Sequence, residues 1–329
     1  MFFNACTASL SYFEESGSIF HTRYHIKYQA SRALTSEIEA ELYQFDRSLN
    51  PFNPEAVIAK INRNEPVETD AWFREVFTKA QEISARTEGV FDITCAPLVN
   101  LWGFGFSKMD SVSPTLVDSI KTFVGYQKVR LEGNRICKDD PRLLLNCSAI
   151  AKGYASDVIG RLLEKHGVEN YMVEIGGEVA MKGRNPQGEY WRIGIQKPDD
   201  EGPNLQNDLE EIVQLGKKGG VATSGNYRNF YIKNGQKFAH TIDPRTGYPA
   251  EQSLLSATVV ADDCMTADAY ATAFMAMGLE KARETARAVP GIDYFFIYAD
   301  EKGDQKVCYS EGMLRYLPNR KALAILENP

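Results

Sequence analysis

Between residues 70 and 87, Trp72, Phe73, Val76, Phe77, Ala80 and Ile83 recur every three to four positions, and Gly89 follows where a helix stops. An apolar stripe of that width must be buried against another element. The chain supplies partners as short strand-like runs at 23–29, 171–175, 191–196, 254–260 and 294–298, the last opening a hairpin through 300–306. A second helix is predicted at 31–45, where Leu34, Ile38, Leu42 and Phe45 keep helical spacing. Asn50-Pro51-Phe52-Asn53-Pro54 then forces a break, because each proline restricts its predecessor and donates no backbone bond. Further on, 142–145 is a short apolar run and 146–153 reads as a small-residue turn. Residues 154–166 follow as a helix with Ile159, Leu162 and Leu163 inward and Gly167 at its end. Gly176-Gly177 closes the 171–175 strand, and 197–208 reads as a polar loop. Helices and strands mix without a repeat or an evident linker, so the expected class is α+β, mixed sheets with packed helices. Residues 20–329 are expected to form one domain behind a leader at 1–19.

Composition narrows what such a domain does. With 329 residues, 43% of them hydrophobic, the chain can bury a large core, and no stretch approaches the roughly 20 apolar residues of a membrane span. A formal charge of −7 without a basic tract, Lys217-Lys218 being only a pair, argues against nucleic-acid binding. An anionic ligand would therefore need a local site or a cation. The six cysteines are scattered without a Cys-x-x-Cys pair, which suits reduced, structural thiols. Phe3-Asn4-Ala5-Cys6 is compatible with a lipoprotein remnant acylated on Cys6, or with a plain disordered leader.

Three polar clusters interrupt the core segments: 223–226, 240–249 and 268–272. Thr266 is a good helix N-cap, which would place Asp268 in the first turn, with Thr272 four residues on along the same face. One carboxylate and one hydroxyl form an incomplete shell suited to magnesium, which takes oxygen ligands and is often completed by substrate phosphates. The commoner use of Asp and Thr at this spacing is a helix-end hydrogen bond. His240, one of four histidines, precedes Asp243-Pro244 and Thr246-Gly247, ordinary turn chemistry around a possible proton acceptor. Gly176-Gly177 and residues 148–153 offer backbone amides for a phosphate, without a Walker or dinucleotide fingerprint. Residue chemistry alone points to a metal-assisted phosphate-ester enzyme.

Phe91-Asp92-Ile93-Thr94 followed by Pro97-Leu98-Val99-Asn100-Leu101-Trp102-Gly103-Phe104-Gly105 resembles a hallmark of the ApbE family, the FAD:protein FMN transferases. Ala149-Ile150-Ala151-Lys152-Gly153-Tyr154, Glu174-Ile175-Gly176-Gly177, Ala222-Thr223-Ser224-Gly225-Asn226-Tyr227, the 240–249 stretch and Ala267-Asp268-Ala269-Tyr270-Ala271-Thr272 follow in that family's order. The resemblance implies a magnesium-dependent enzyme that breaks the FAD pyrophosphate and transfers FMN to a Ser or Thr hydroxyl of a partner flavoprotein, releasing AMP. By the same resemblance the metal ligands would be Asp268, Thr272 and the Ala149 carbonyl, with Ala271 a weaker addition. Flavin contacts would come from Phe20, Phe52, Val90, Phe91, Asp92, Asn146, Lys152 and Ile242. His240 would be the general base and Asp243 its orienting group or a partner of the metal's waters. The acceptor would carry a Ser/Thr-Gly-Ala-Ser/Thr-type segment in a membrane redox complex, with the enzyme lipid-anchored through Cys6 at the periplasmic face. Phe20-His21-Thr22 replaces the family's common Met-Gly-Thr, and Asn146 stands where members often carry Asp. An FAD pyrophosphatase and a non-catalytic flavin-binding protein are the competing readings.

Overall fold

A computed structural model describes residues 9–105, 112–198, 209–225, 230–233, 236–239, 241–250 and 253–318. Among them, eight strands form one sheet: β1 (Ser11–Ile19), β2 (Thr22–Ala30), β3 (Tyr171–Ile175), β4 (Glu178–Lys182), β5 (Gly219–Gly225), β6 (Leu254–Ala261), β7 (Asp293–Ala299) and β8 (Gln305–Tyr309). Their order in the sheet is their order in the chain, and every neighbouring pair is antiparallel. The helices are α1 (Thr35–Leu49), α2 (Val57–Asn62), α3 (Ala71–Arg86), α4 (Ala96–Leu101), α5 (Pro114–Lys121), α6 (Ala151–Lys165), α7 (Cys264–Met277) and α8 (Leu279–Ala288). This is the expected α+β class.

Adjacent residues of β7 show how the sheet divides two cores. Side chains alternate across a strand; Phe296 joins the main core under the helices, whereas Phe295 faces the second core with Met181, Trp191 and Met313. The main core contains Phe45, Phe73, Tyr154 and Phe274, all essentially shut off from water, and burying each contributes about 1.5 to 3 kcal/mol. A third cluster gathers Leu98, Trp102, Val117 and Ile242. Cys95, Cys137, Cys147, Cys264 and Cys308 are free thiols, as their spacing suggests.

Several boundaries differ from the sequence expectation for local reasons. Helix α1 starts at Thr35 rather than at 31, because β2 runs on to Ala30 and the Leu34 amide is taken by the Tyr28 hydroxyl at 2.7 Å. Helix α6 begins at Ala151, three residues before the expected 154, so Lys152 and Gly153 lie in its first turn and not in the preceding loop. Helix α7 is capped by Asp263, whose side chain accepts the Thr266 amide at 2.7 Å; Thr266 is thus inside the helix, and Asp268 lies beyond its first turn. The polar segment Ser11–Ile19, read as leader, is an edge strand paired along its whole length with β2. Short alternation among serines and glutamates hides a strand whose outer edge needs no apolar neighbours. Among the described residues no helix is long and apolar enough to cross a membrane.

Candidate active site

Strand register assembles the site at one end of the sheet. Two hairpins turn there side by side. Phe20-His21 joins β1 to β2, closed by the Ile19–Thr22 pair, and Gly176-Gly177 joins β3 to β4, closed by Ile175–Glu178. Tyr24 pairs with Ile175, which sets the two turns next to each other. The Thr223–Gly225 end of β5 and the start of β6 arrive at the same edge, since Val179 pairs with Val221 and Gly225 with Ser256. Both turns have two residues at positive φ, 51° and 59° in the first and 68° and 106° in the second, the mirror-image geometry that fits the twist of a hairpin.

Behind these turns α6 and α7 cross closely. Gly153 makes this possible: a Cβ there would run into the Cys264 carbonyl oxygen and Asp268 Cβ. The Gly153 amide donates to Asp268 Oδ2 at 3.0 Å, so Asp268 satisfies one of the open amides at the start of the opposite helix. Asp268 is 2% exposed. Burial raises its pKa, and Lys152 and the Gly153 amide offset this only in part. Lys152 Nζ lies 2.5 Å from Glu178 Oε1. Glu178 is also buried; burial first, then the Asp268 charge, raises its pKa, with Lys152 pulling the other way. Burial works against the Lys152 ammonium, but Glu178 and Asp268 outweigh it and lift its pKa. Two carboxylates against one ammonium leave surplus negative charge, and Glu178 Oε2 is buried without a hydrogen-bond partner. Such an orphan is costly unless a further cationic or donor group completes it.

Hydroxyls lie alongside. Thr272, one turn beyond Asp268, has Oγ1 3.2 Å from Ser224 Oγ, and Thr223 Oγ1 is 2.8 Å from Thr258 Oγ1. The 223–226 and 268–272 clusters, separate in sequence, therefore meet through Ser224 and Thr272. Helix α7 also packs against the two-residue strand Ile242–Asp243. Asp243 is buried and its carboxylate is engaged by Arg245, through the backbone amide at 2.9 Å, Nε at 3.1 Å and Nη2 at 2.9 Å. His240, Asn226 to Arg228 and Cys6 lie outside the described residues.

The remaining residues expected to touch flavin fall into distinct settings. Phe20 sits in the first turn with its ring 5.3 Å from that of Phe45, and Phe52 is 55% exposed with its ring 5.1 Å from that of His21. Val90 and Phe91 are buried in the main core, and Ile242 in the third cluster. Asp92 gives both carboxylate oxygens to backbone amides, of Thr94 at 2.7 Å and Tyr126 at 2.8 Å. Asn146 folds its own turn, accepting the Ser148 amide at 2.9 Å, and its backbone amide donates to Ile93 at 2.7 Å. Ala149 is half-buried and Ala271 fully buried. Glu178 is the member of the cluster that sequence reading missed. Its signal is a carboxylate directly after a Gly-Gly hairpin turn, at the head of the apolar run Val179-Ala180-Met181.

The family comparison agrees with this architecture. A model of the ApbE family matches residues 20–296, and the chain belongs to that family. It is 37% identical over 284 residues to the FAD:protein FMN transferase of Vibrio cholerae serotype O1, covering 83% of this chain and 84% of the relative. Against the FAD:protein FMN transferase of Haemophilus influenzae it is 36% identical over 313 residues, covering 90% and 89% respectively. Among solved structures, the flavin transferase ApbE from Vibrio cholerae superposes with a TM-score of 0.83 at 33% identity, over 94% of this chain and 100% of the other. The apo flavinyl transferase ApbE from Pseudomonas stutzeri gives 0.82 at 32% identity, over 94% and 96%.

Among the described residues, no three His, Cys, Asp or Glu side chains converge into a ready-made metal cage. A hard divalent cation nevertheless fits the donors present. They are oxygens, the two carboxyls have pKa values raised by burial that a cation would lower again, and one carboxyl oxygen is unsatisfied.

Proposed function

We propose that this enzyme, a FAD:protein FMN transferase, breaks the diphosphate of FAD and passes FMN to a Ser or Thr hydroxyl of an acceptor flavoprotein, with magnesium bound. The hydroxyl oxygen forms a bond to the flavin-side phosphorus, the bridging P–O bond breaks, AMP leaves with that oxygen, and the hydroxyl proton passes to His240. The observation that carries this reading is the surplus of buried carboxylate at Asp268 and Glu178 beside the Ser224 and Thr272 hydroxyls. Such a site suits a cation, and through the cation a phosphate that the carboxylates alone would repel.

Asp268, Thr272 and the Ala149 carbonyl would hold the metal, with Ala271 as a weaker contributor. When bound, magnesium supplies charge neutralisation for the pyrophosphate oxygens. Lys152, tethered by Glu178, contributes a fixed positive charge for a phosphate or a ring oxygen. Asp243 is held rigid by the Arg245 fork, and in this reading it orients His240, three residues upstream. The unperturbed histidine pKa, about 6.5, suits proton removal near neutral pH. Phe20, Phe52 and Ile242 offer apolar surface to a flat ring. The reading extends to an acceptor bearing a Ser/Thr-Gly-Ala-Ser/Thr-type segment in a membrane redox complex, and to lipidation of Cys6 at the periplasmic face.

Incubating the protein with FAD, magnesium and a candidate acceptor tests it. Transfer adds the mass of the FMN group to the acceptor and releases AMP. FMN released with no gain in acceptor mass makes the enzyme a pyrophosphatase, and FAD bound without cleavage makes it a flavin carrier. In the same assay His240→Ala is expected to keep FAD binding while transfer falls about 10² to 10⁴ fold. Weakened FAD binding at an unchanged maximal rate would make His240 a binding residue instead.

A further inference from the structure

The two hairpin turns at the active end have the same backbone hand and opposite residue choices. Gly176-Gly177 adopts positive φ freely, as glycine does. Phe20-His21 places two residues with β-carbons in the left-handed region, at φ 51° and 59°, where side chains crowd the backbone. Strain of this kind persists where the surroundings fix it, and it clusters at functional sites.

The two strained residues send their rings in different directions. Phe20 turns inward, its ring edge-on to Phe45 at 5.3 Å, which locks the turn to the main core. His21 is exposed and meets the ring of Phe52 at 5.1 Å, the planes crossing at 81°. Phe52 stands on a loop braced from within: Asp46 accepts the Asn50 and Asn53 side-chain amides at 2.7 Å each, and Asn50 Oδ1 accepts the Phe52 amide at 3.0 Å. Both outward rings are therefore mounted on rigid turns, and Phe52 is 55% exposed. Thr22, the residue after His21, and the Lys152 stem converge on Gly176, where an added Cβ would meet both at about 3 Å. The turn that carries His21 thus lies beside the turn and the Lys152 stem that lead to the Lys152–Glu178–Asp268 cluster.

We propose that His21 is a substrate-contacting specificity residue that, with Phe52, forms an aromatic wall for a flat ring of FAD. This rests on the transferase reading. The strained turn keeps an imidazole where glycine would leave the backbone relaxed and the wall incomplete. Flat heteroaromatic rings gain from edge and face contact with such a pair.

Three variants separate this role from a structural one, read by FAD titration, steady-state kinetics and thermal melting. His21→Ala keeps the strained backbone and removes the ring; the Kd and KM for FAD are expected to rise about 3- to 10-fold, with kcat within about twofold. His21→Gly also removes the strain, so it is expected to melt about 1 to 2 °C higher than the parent while binding FAD as poorly as His21→Ala. His21→Phe restores a ring and is expected to bind FAD within about twofold of the parent. Repeating the titrations with FMN and with ADP assigns the contact to the flavin or the adenine ring. Unchanged FAD affinity in His21→Ala and His21→Gly overturns the proposal, as does a His21→Phe that binds no better than His21→Ala. A parent protein that binds no FAD overturns the transferase reading itself, and this contact with it.

Discussion

Asp157 and Asp268 each reach across the α6–α7 crossing to the first turn of the other helix, and they finish differently. From α6, Asp157 accepts two amides, those of Cys264 at 2.9 Å and Met265 at 2.8 Å. From α7, Asp268 accepts that of Gly153, and it shares its surroundings with a second carboxylate and a single ammonium. Asp157 is committed to holding a helix end. Asp268 helps to hold one but keeps charge in hand for something else. Like residues in like positions are thus told apart by how completely their oxygens are used.

The sharpest way to break this distinction is Asp268→Ala. Transfer is expected to fall by about 10³ fold or more, because the proposed metal would lose its main negative ligand. Stability should change by under about 1 kcal/mol, because relief of like-charge repulsion offsets the abandoned Gly153 amide. FMN transfer and denaturant melts measured together check this, and a large stability loss would make Asp268 as structural as Asp157.

Gly153→Ala should come next, since its new methyl meets backbone at Cys264 rather than a yielding side chain. A cost of about 3 kcal/mol is expected, with activity lost alongside. Asp157→Ala is expected to cost about 2 kcal/mol by orphaning two amides, while folded protein keeps most of its turnover. A selective loss of turnover without loss of stability would place Asp157 in the chemistry.

The smallest effect is in pH. Burial, with the charge of Asp263 adding to it, pushes the Asp157 carboxyl up from 3.8 to about 7 against the two amide bonds. The folded chain therefore keeps a proton that the unfolded chain has released. The stability this provides is complete below pH 3.8 and is lost as pH rises to about 7. Asp157→Asn should flatten that part of the stability profile, and an unaltered slope would assign it to another group.

How far these features were legible follows from what creates them. Tyr171–Ile175 and Trp191–Gln196 are found where their patterns put them, since a buried run and a strict alternation are both local properties. The start of α6 was not legible. Ile150 caps it without any side-chain bond, and Gly153 reads as a helix breaker when it is a contact point. The sequence offers two acceptable caps for α7, Asp263 and Thr266; in the structure Asp263 accepts the Thr266 amide, and Asp157 of α6 accepts the two amides before it. That Asp268 and Thr272 share one face of α7 follows from helical spacing. The part of Glu178 does not, since its meeting with Lys152 depends on a turn and a crossing 26 residues apart in sequence.

The bond from Gly153 to Asp268 joins positions 115 residues apart in the chain. During synthesis, α6 emerges from the ribosome long before its partner exists, so the polypeptide up to β5 cannot assemble the charged cluster. That contact arrives only with the last third of the protein, and a product truncated after β5 would carry most of the sheet without it.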